Sequence, residues 1–276
     1  MTKVALTIAG SDSGGGAGIQ ADLRTFSFHC VHGTSAVTCV TAQNTSGVLR
    51  VDALPAEAVE AQIEAVVEDI GVQAVKTGML LNAEIIETVV RQVERWGLKA
   101  LVVDPVMVSR TGAQLIDDRA IATLKTVLCP RAAILTPNRY EAQILSGVEI
   151  ARLEDLKRAA RKIRDLGAAA VLMKGGGMTG ELRGVDLWFD GTGFEILKTE
   201  TVETRNTHGT GCTLSAAIAA NLALGRDPLS AARFAKNYVT SALKAAIAIG
   251  RGTGPVGHFF PLLKATEPRN GGANSQ

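Results

Sequence analysis

A three-layer α/β/α sandwich with a mostly parallel central sheet and a small β-flap is the fold class this sequence predicts. Short apolar runs recur along the chain, segments of helical apolar spacing separate them, and one β-branched stretch breaks the alternation. The runs at 4–9, 74–77, 100–103, 133–135 and 170–173 lack polar alternation, which suits strands buried on both faces. Residues 19–28, 55–69, 83–96, 117–127, 154–166 and 214–224 repeat their apolar side chains at helical spacing. Strand and helix in alternation imply parallel strands joined by crossover helices that cover both faces. Residues 33–52 differ: β-branched alternation through 34–41, a turn around 44–47 and an apolar stretch at 48–51 predict strand, loop, strand, placed to flap over a ligand.

Composition narrows the class further. The chain has 276 residues, so residues 1–264 are expected to form one domain, with 265–276, rich in Gly, Asn and Pro from Glu267 on, as a disordered tail. Its 29 Lys+Arg balance 27 Asp+Glu to a net +2, and only 4% of residues are aromatic. Such a surface offers neither the basic field nor the stacking platforms of a nucleic-acid binder. Cys30, Cys39, Cys129 and Cys212 lie far apart with no C-x-x-C pair, which argues against a disulfide framework or a zinc site and fits a reducing compartment. The apolar run at 4–9 is too short for a signal-peptide core, and no apolar stretch reaches bilayer length, so no membrane partner and a cytoplasmic location are expected.

The most informative stretch is Asn206-Thr207-His208-Gly209-Thr210-Gly211-Cys212-Thr213, a glycine-flanked turn that carries a thiol into a helical run. A helix starting near Gly211 aims its unpaired amides at the turn and attracts phosphate. Two readings of Cys212 stand at this point. It is either a small buried residue at a helix start, or a thiol whose pKa the helix terminus depresses so that it accepts a proton from an alcohol. Upstream, Gly10-Ser11-Asp12-Ser13-Gly14-Gly15-Gly16-Ala17-Gly18 links an expected strand to an expected helix, as a ligand-binding turn does. It lacks the acidic residue that a dinucleotide fingerprint places further on, and the chain has no phosphate-binding G-x-x-x-x-G-K-[ST] loop.

Three consecutive expected strands end in polar residues: Asp104 before Pro105; Thr136-Pro137-Asn138 with Glu141 following; and Lys174 before Gly175-Gly176-Gly177. Each alone is an ordinary turn or cap. Together, at the carboxyl edge of one sheet, they suit a magnesium ion held by carboxylates and a phosphate neutralised by lysine. His29, His32, His208 and His258 show no metal spacing, and His208 is expected to support the turn.

These motifs, with Thr41-Ala42-Gln43-Asn44-Thr45, Lys76-Thr77-Gly78-Met79 and Asp104-Pro105-Val106-Met107, resemble in order those of the hydroxymethylpyrimidine/phosphomethylpyrimidine kinases, the ThiD family of the ribokinase-like superfamily. The resemblance spans about residues 4–259. It implies ATP-dependent phosphorylation of 4-amino-5-hydroxymethyl-2-methylpyrimidine and then of its monophosphate, in thiamin biosynthesis. It assigns Gln43 to the pyrimidine edge, where an amide both donates and accepts, and Gly10, Asp22, Met79 and Val106 to the same pocket. Asp104 and Glu141 would hold Mg²⁺; Asn138, Thr207 and Lys174 would contact the nucleotide; and Gly209, Thr210, Gly211 and Cys212 would form the anion hole. Where many sugar kinases of the superfamily carry an aspartate base, this chain has Cys212. The resemblance also implies a homodimer, and because the chain ends soon after Phe259 a stand-alone kinase is expected. Two rival readings remain: a pyridoxal kinase, against which Gln43 speaks, and a nucleotide-binding module without turnover, which would not need Asp104, Lys174 and Cys212 together.

Overall fold

In the computed structural model, residues 2–107, 114–178 and 180–266 are described. The tail expected at 265–276 therefore lies outside the described residues from 267 on. Five strands come from the expected runs: β1 (Val4–Asp12), β4 (Ala74–Thr77), β5 (Leu101–Val103), β6 (Ile134–Leu135) and β7 (Val171–Met173). The flap segment forms β2 (His32–Asn44) and β3 (Gly47–Ala53), and two further strands follow, β8 (Val185–Phe189) and β9 (Phe194–Lys198). They make one sheet in the order β3-β2-β1-β4-β5-β6-β7-β8-β9. Strands β2, β1, β4, β5, β6 and β7 run parallel, while β3 at one edge and β8 and β9 at the other turn back antiparallel.

Period-two alternation divides the central strands between two cores. Leu6, Val75, Val103, Leu135 and Val171 face one layer, made by α2 (Ala56–Asp69), α3 (Ala83–Arg95), α4 (Asp118–Thr123), α5 (Arg139–Ser146) and α6 (Leu153–Arg164). Ala5, Ala74, Val102, Ile134 and Leu172 face the other, made by α1 (Gly18–Phe28), α7 (Thr210–Ala223) and α8 (Pro228–Lys244), with α9 (Phe260–Thr266) following. The result is the expected three-layer sandwich. Helix α7 is buried on nearly all sides; its alanines at 216, 217, 219, 220 and 223 bring it close to its neighbours. Each fully buried large aliphatic of these cores contributes about 1.5–3 kcal/mol over exposure.

Two elements differ from expectation, and a third forms as expected. The helix expected at 117–127 stops at Thr123 and winds on through a π turn, Leu124–Leu128, into a 3-10 turn, Cys129–Arg131, where Pro130 has no amide hydrogen to continue the ladder. Helix α5 was not expected as a helix, although Asn138 and Glu141 form its capping box: the Asn138 side chain accepts from the Glu141 amide, and the Glu141 carboxylate from the Asn138 amide. The flap forms the expected strand, turn and strand, paired as an edge hairpin. Asn44 closes its turn by accepting from the Ser46 and Gly47 amides, and its tip is fastened where Gly252 and Thr253 donate to Thr45.

Candidate active site

The polar residues of the site follow from strand alternation carried two positions past the core. Beyond Ala5, Ala74, Val102, Ile134 and Leu172, the same face brings Thr7, Lys76, Asp104, Thr136 and Lys174 under the amino ends of α1 and α7. Lys174 Nζ donates to Asp104 Oδ1 at 2.6 Å and lies 3.8 Å from Glu141 Oε2; Ser215 of α7 donates to Asp104 Oδ2 at 3.3 Å. The three strand-end residues proposed from sequence thus meet, although only Lys174 keeps appreciable exposure, 12% of its side chain. Burial pulls the Lys174 ammonium down, but Asp104 and Glu141 outweigh it and hold it above the ordinary lysine range. Burial and the Asp104 charge push Glu141 up to about 7, against the pull of Lys174.

The Gly209–Cys212 turn closes over this cluster. Gly209 sits at φ 82°, the left-handed region, and any Cβ there would strike the Gly16 carbonyl, so the two glycine turns pack backbone to backbone. A Cβ built on Gly211 would lie 3.4 Å from Lys174 Nζ and 3.8 Å from Asp104 Oδ2, which sets the helix terminus beside the charged cluster. Thr207 caps the approach: its carbonyl accepts from the Thr210 hydroxyl at 3.2 Å. Thr213 meets the Nε2 of buried His258 at 2.8 Å, and burial with nearby Arg24 lowers that imidazole to about 4, keeping it neutral.

Cys212 corrects the reading of a depressed thiol. Burial pushes it up to about 11; Lys76 and the Gly18 amide pull it down, while Asp22 and Asp104 add to the rise. Two carboxylates brought in from other strands and helices, together with desolvation, outweigh the helix terminus. The resting thiol is protonated at neutral pH.

Beneath it lies a group that sequence reading quoted only as part of a motif. Lys76, with no exposed side-chain surface in the middle of β4, donates to Asp22 Oδ2 at 2.7 Å, and Thr7 donates to the same oxygen at 2.6 Å. Burial alone would pull Lys76 down, but the charge of Asp22, its hydrogen bond and the charge of Asp104 push it above the ordinary range. Asp22, expected to line the pyrimidine pocket, is wholly buried, one layer under the rim. A charged residue inside the short apolar run 74–77 was the signal that could have flagged Lys76 from sequence.

The remaining expected pocket residues lie in or just past β1, β2, β4 and β5. Gly10 is pressed between Cys39 and Met79: a Cβ there would lie 2.7 Å from Cys39 Sγ and 3.0 Å from Met79 Cε. Val106 follows Asp104 in the loop after β5, its amide donating to the Asp104 carbonyl at 2.8 Å. Gln43, near the end of β2, is clamped by Ser13, which donates to its carbonyl and accepts from its amide. Asp12 was missed as a functional candidate. Its carboxylate accepts from the Gly14, Gly16 and Ala17 amides and from His208, tying the first glycine turn to the second.

A parallel sheet with glycine turns and a helix terminus facing an Asp–Lys cluster at its carboxyl edge is the architecture of the ribokinase-like small-molecule kinases. The phosphomethylpyrimidine kinase family profile matches residues 12–257, and the chain belongs to that family. It is 63% identical over 260 residues, 94% of this chain and 98% of its relative, to the hydroxymethylpyrimidine/phosphomethylpyrimidine kinase of Synechococcus elongatus. Among solved structures, a Bacillus subtilis pyridoxal kinase in complex with ADP superposes with TM-score 0.88 at 38% identity, covering 95% of this chain and all of that one. The phosphomethylpyrimidine kinase of Clostridium difficile superposes at 0.79 with 45% identity, covering 88% of this chain and all of that one.

Proposed function

We propose that this protein transfers the γ-phosphoryl group of ATP to the hydroxymethyl oxygen of 4-amino-5-hydroxymethyl-2-methylpyrimidine, and then phosphorylates the monophosphate to the diphosphate, supplying thiamin diphosphate biosynthesis. The observation that carries this reading is the meeting of the Gly209–Cys212 turn with the Asp104–Lys174 pair, with Gly211 between them. Phosphoryl transfer needs little beyond alignment and charge neutralisation, and this arrangement supplies both. In the first step the hydroxymethyl oxygen bonds to the γ-phosphorus as the bond to the ADP oxygen breaks and the hydroxyl proton leaves. The Gly211 and Cys212 amides at the start of α7 face the incoming charge, Lys174 neutralises it, and Thr207 and Asn138 flank the nucleotide. Gln43 reads the pyrimidine edge, with Gly10, Met79 and Val106 as pocket walls over buried Asp22. Cys212, protonated at rest, acts as a relay in the first step, passing its own S–H hydrogen to a phosphoryl oxygen as it takes the hydroxyl hydrogen; the second step, on a phosphate oxygen, has no such need.

Among the described residues no group of three or more His, Cys, Asp or Glu forms a metal cage. Asp104 and Glu141, already gathered about the Lys174 cation, fit the sparse two-carboxylate set that Mg²⁺ accepts when phosphates and waters complete its shell. The ion would neutralise phosphate charge there. No helix among the described residues is long and apolar enough to cross a membrane, and we expect a cytoplasmic homodimer whose residues 1–264 form one domain; light scattering tests the dimer.

The likeness to a pyridoxal kinase structure favours a second reading, pyridoxal phosphorylation. One experiment separates the two: mass spectrometry of products from ATP, Mg²⁺ and, separately, the hydroxymethylpyrimidine, its monophosphate and pyridoxal. Mono- and diphosphate formation is the expected outcome. Pyridoxal phosphate as main product would overturn the role given to Gln43, and no product from any of them would sink the enzyme reading.

A further inference from the structure

His208 and Thr41 flank the Gln43 side chain, and hydrogen-bond polarity along this chain dictates which way the amide must point. His208 Nε2 lies 2.8 Å from Asp12 Oδ2. The Asp12 carboxyl is held below the usual range: burial opposes this, but His208 and the turn amides outweigh it, so it is an ionised, acceptor-only partner and Nε2 carries a hydrogen. The atom built as Gln43 Nε2 lies 3.4 Å from that same Nε2, which sets donor against donor. On the other side, Thr41 has one hydroxyl hydrogen, which it gives to the Ser11 carbonyl at 2.8 Å; none is left for the atom built as Gln43 Oε1 at 3.2 Å. Turning the carboxamide by half a revolution removes both conflicts. The nitrogen then donates to a free lone pair of the Thr41 hydroxyl, and the oxygen, in place of a second donor, faces the imidazole N–H, whose one hydrogen stays on Asp12.

We propose that His208, held by Asp12, is a positioning residue that fixes this orientation of Gln43 and thereby the ring the enzyme prefers. The inference rests on the proposed function and deepens it. With one N–H committed to Thr41 and the oxygen turned toward the imidazole, the amide keeps one donor and an acceptor lone pair for substrate. That is the complement of an amino group beside a ring nitrogen, as in an aminopyrimidine; a pyridine flanked by methyl and hydroxyl groups lacks that amino donor. The two glycine turns lock the histidine in place, since a Cβ on Gly16 would strike its ring.

Steady-state kinetics on the full chain test this. His208→Leu should raise KM for the hydroxymethylpyrimidine about tenfold, the size of one substrate hydrogen bond lost when the amide is free to turn, with KM for ATP nearly unchanged. His208→Gln, whose side-chain amide donates from a similar place, should recover most of the loss. In a Gln43→Ala background, His208→Leu should cost nothing more. Equal loss in the Leu and Gln variants, a parallel rise in KM for ATP, or full additivity with Gln43→Ala would each overturn the proposal. If His208→Leu fails to fold, Thr41→Val acts from the other side of the amide, and an unchanged KM for the pyrimidine there overturns it equally. Wild-type turnover separates the two levels: absence of pyrimidine phosphorylation refutes the proposed function, whereas turnover indifferent to His208 refutes only this inference.

Discussion

Lys76 and Lys174 each pair with an aspartate on the same face of the sheet, at 2.7 and 2.6 Å, yet their surroundings differ. Lys76 lies inside β4 and neither it nor Asp22 exposes any side-chain surface; Lys174 lies one residue past β7, keeps 12% exposure and has Glu141 as a further neighbour. A pair inside the strand is sealed under the next layer and can serve only neighbours already in the protein. A pair at the strand end opens to whatever enters the rim. Position along the strand therefore separates a charge sealed in the interior from one that an entering ligand can reach.

The comparison breaks or sharpens under substitution. Lys76→Met strands the Asp22 carboxylate in the interior and should cost about 3–5 kcal/mol of stability, read from the urea midpoint, with Lys76→Met/Asp22→Asn recovering most of it. An unmoved midpoint would remove the structural half of the contrast. Asp104→Asn should instead lower kcat about a hundredfold, as loss of one electrostatic group at a phosphoryl site does, with a smaller fall in stability than Lys76→Met. Equal destabilisation by both variants would erase the distinction between sealed and open pairs.

Cys212 stands between the two pairs, and its substitution sharpens the comparison. Cys212→Ala should slow the first phosphorylation about tenfold while sparing the second; equal loss in both steps would assign the thiol to the anion hole. Its alkylation in the absence of ligand should stay slow at neutral pH and rise toward a pKa of about 11. The smallest effect concerns Glu141, whose folded-state pKa is raised to about 7 from 4.5. The folded state holds that proton longer than the unfolded chain, so the stability it contributes is fully present below pH 4.5 and is lost as pH rises through about 7. In magnesium-free buffer, stability should fall across that window by at most about 1.4 kcal/mol per pH unit, and Glu141→Gln should flatten the slope. A wild-type slope already flat would show that Lys174 fully compensates the buried carboxylate.

Much of the fold was legible because parallel strands buried on both faces leave unbroken apolar runs. β4 and the end of α2 match the residues expected, and β1, β5, β6 and β7 differ only at their ends. Segments obeying other rules were passed over. β9 buries Leu197 but leaves Phe194, Glu195 and Ile196 in succession partly or half exposed, a weaker pattern on an antiparallel edge. α8 begins with Asp227 as cap and Pro228 in its first turn, a start signal that was present but unused. In the site, Asp104, Glu141, Lys174 and the Gly209–Cys212 turn were readable because each falls where a strand ends or a helix starts. Asp12 and Lys76 were not, because their partners lie far away in sequence: His208 for one, Asp22 for the other.

By itself, the sequence determined the layered architecture, the two glycine turns and the residue types delivered to the rim, since hydrophobic period and turn chemistry are local properties of the chain. Tertiary structure decided the charge states. Whether Cys212 is a thiol or a thiolate, whether Lys76 keeps its proton and which way the Gln43 amide faces depend on desolvation and on charges that approach from other strands and helices. Electrostatic interaction falls with distance in space, not along the chain, and only the folded packing sets that distance.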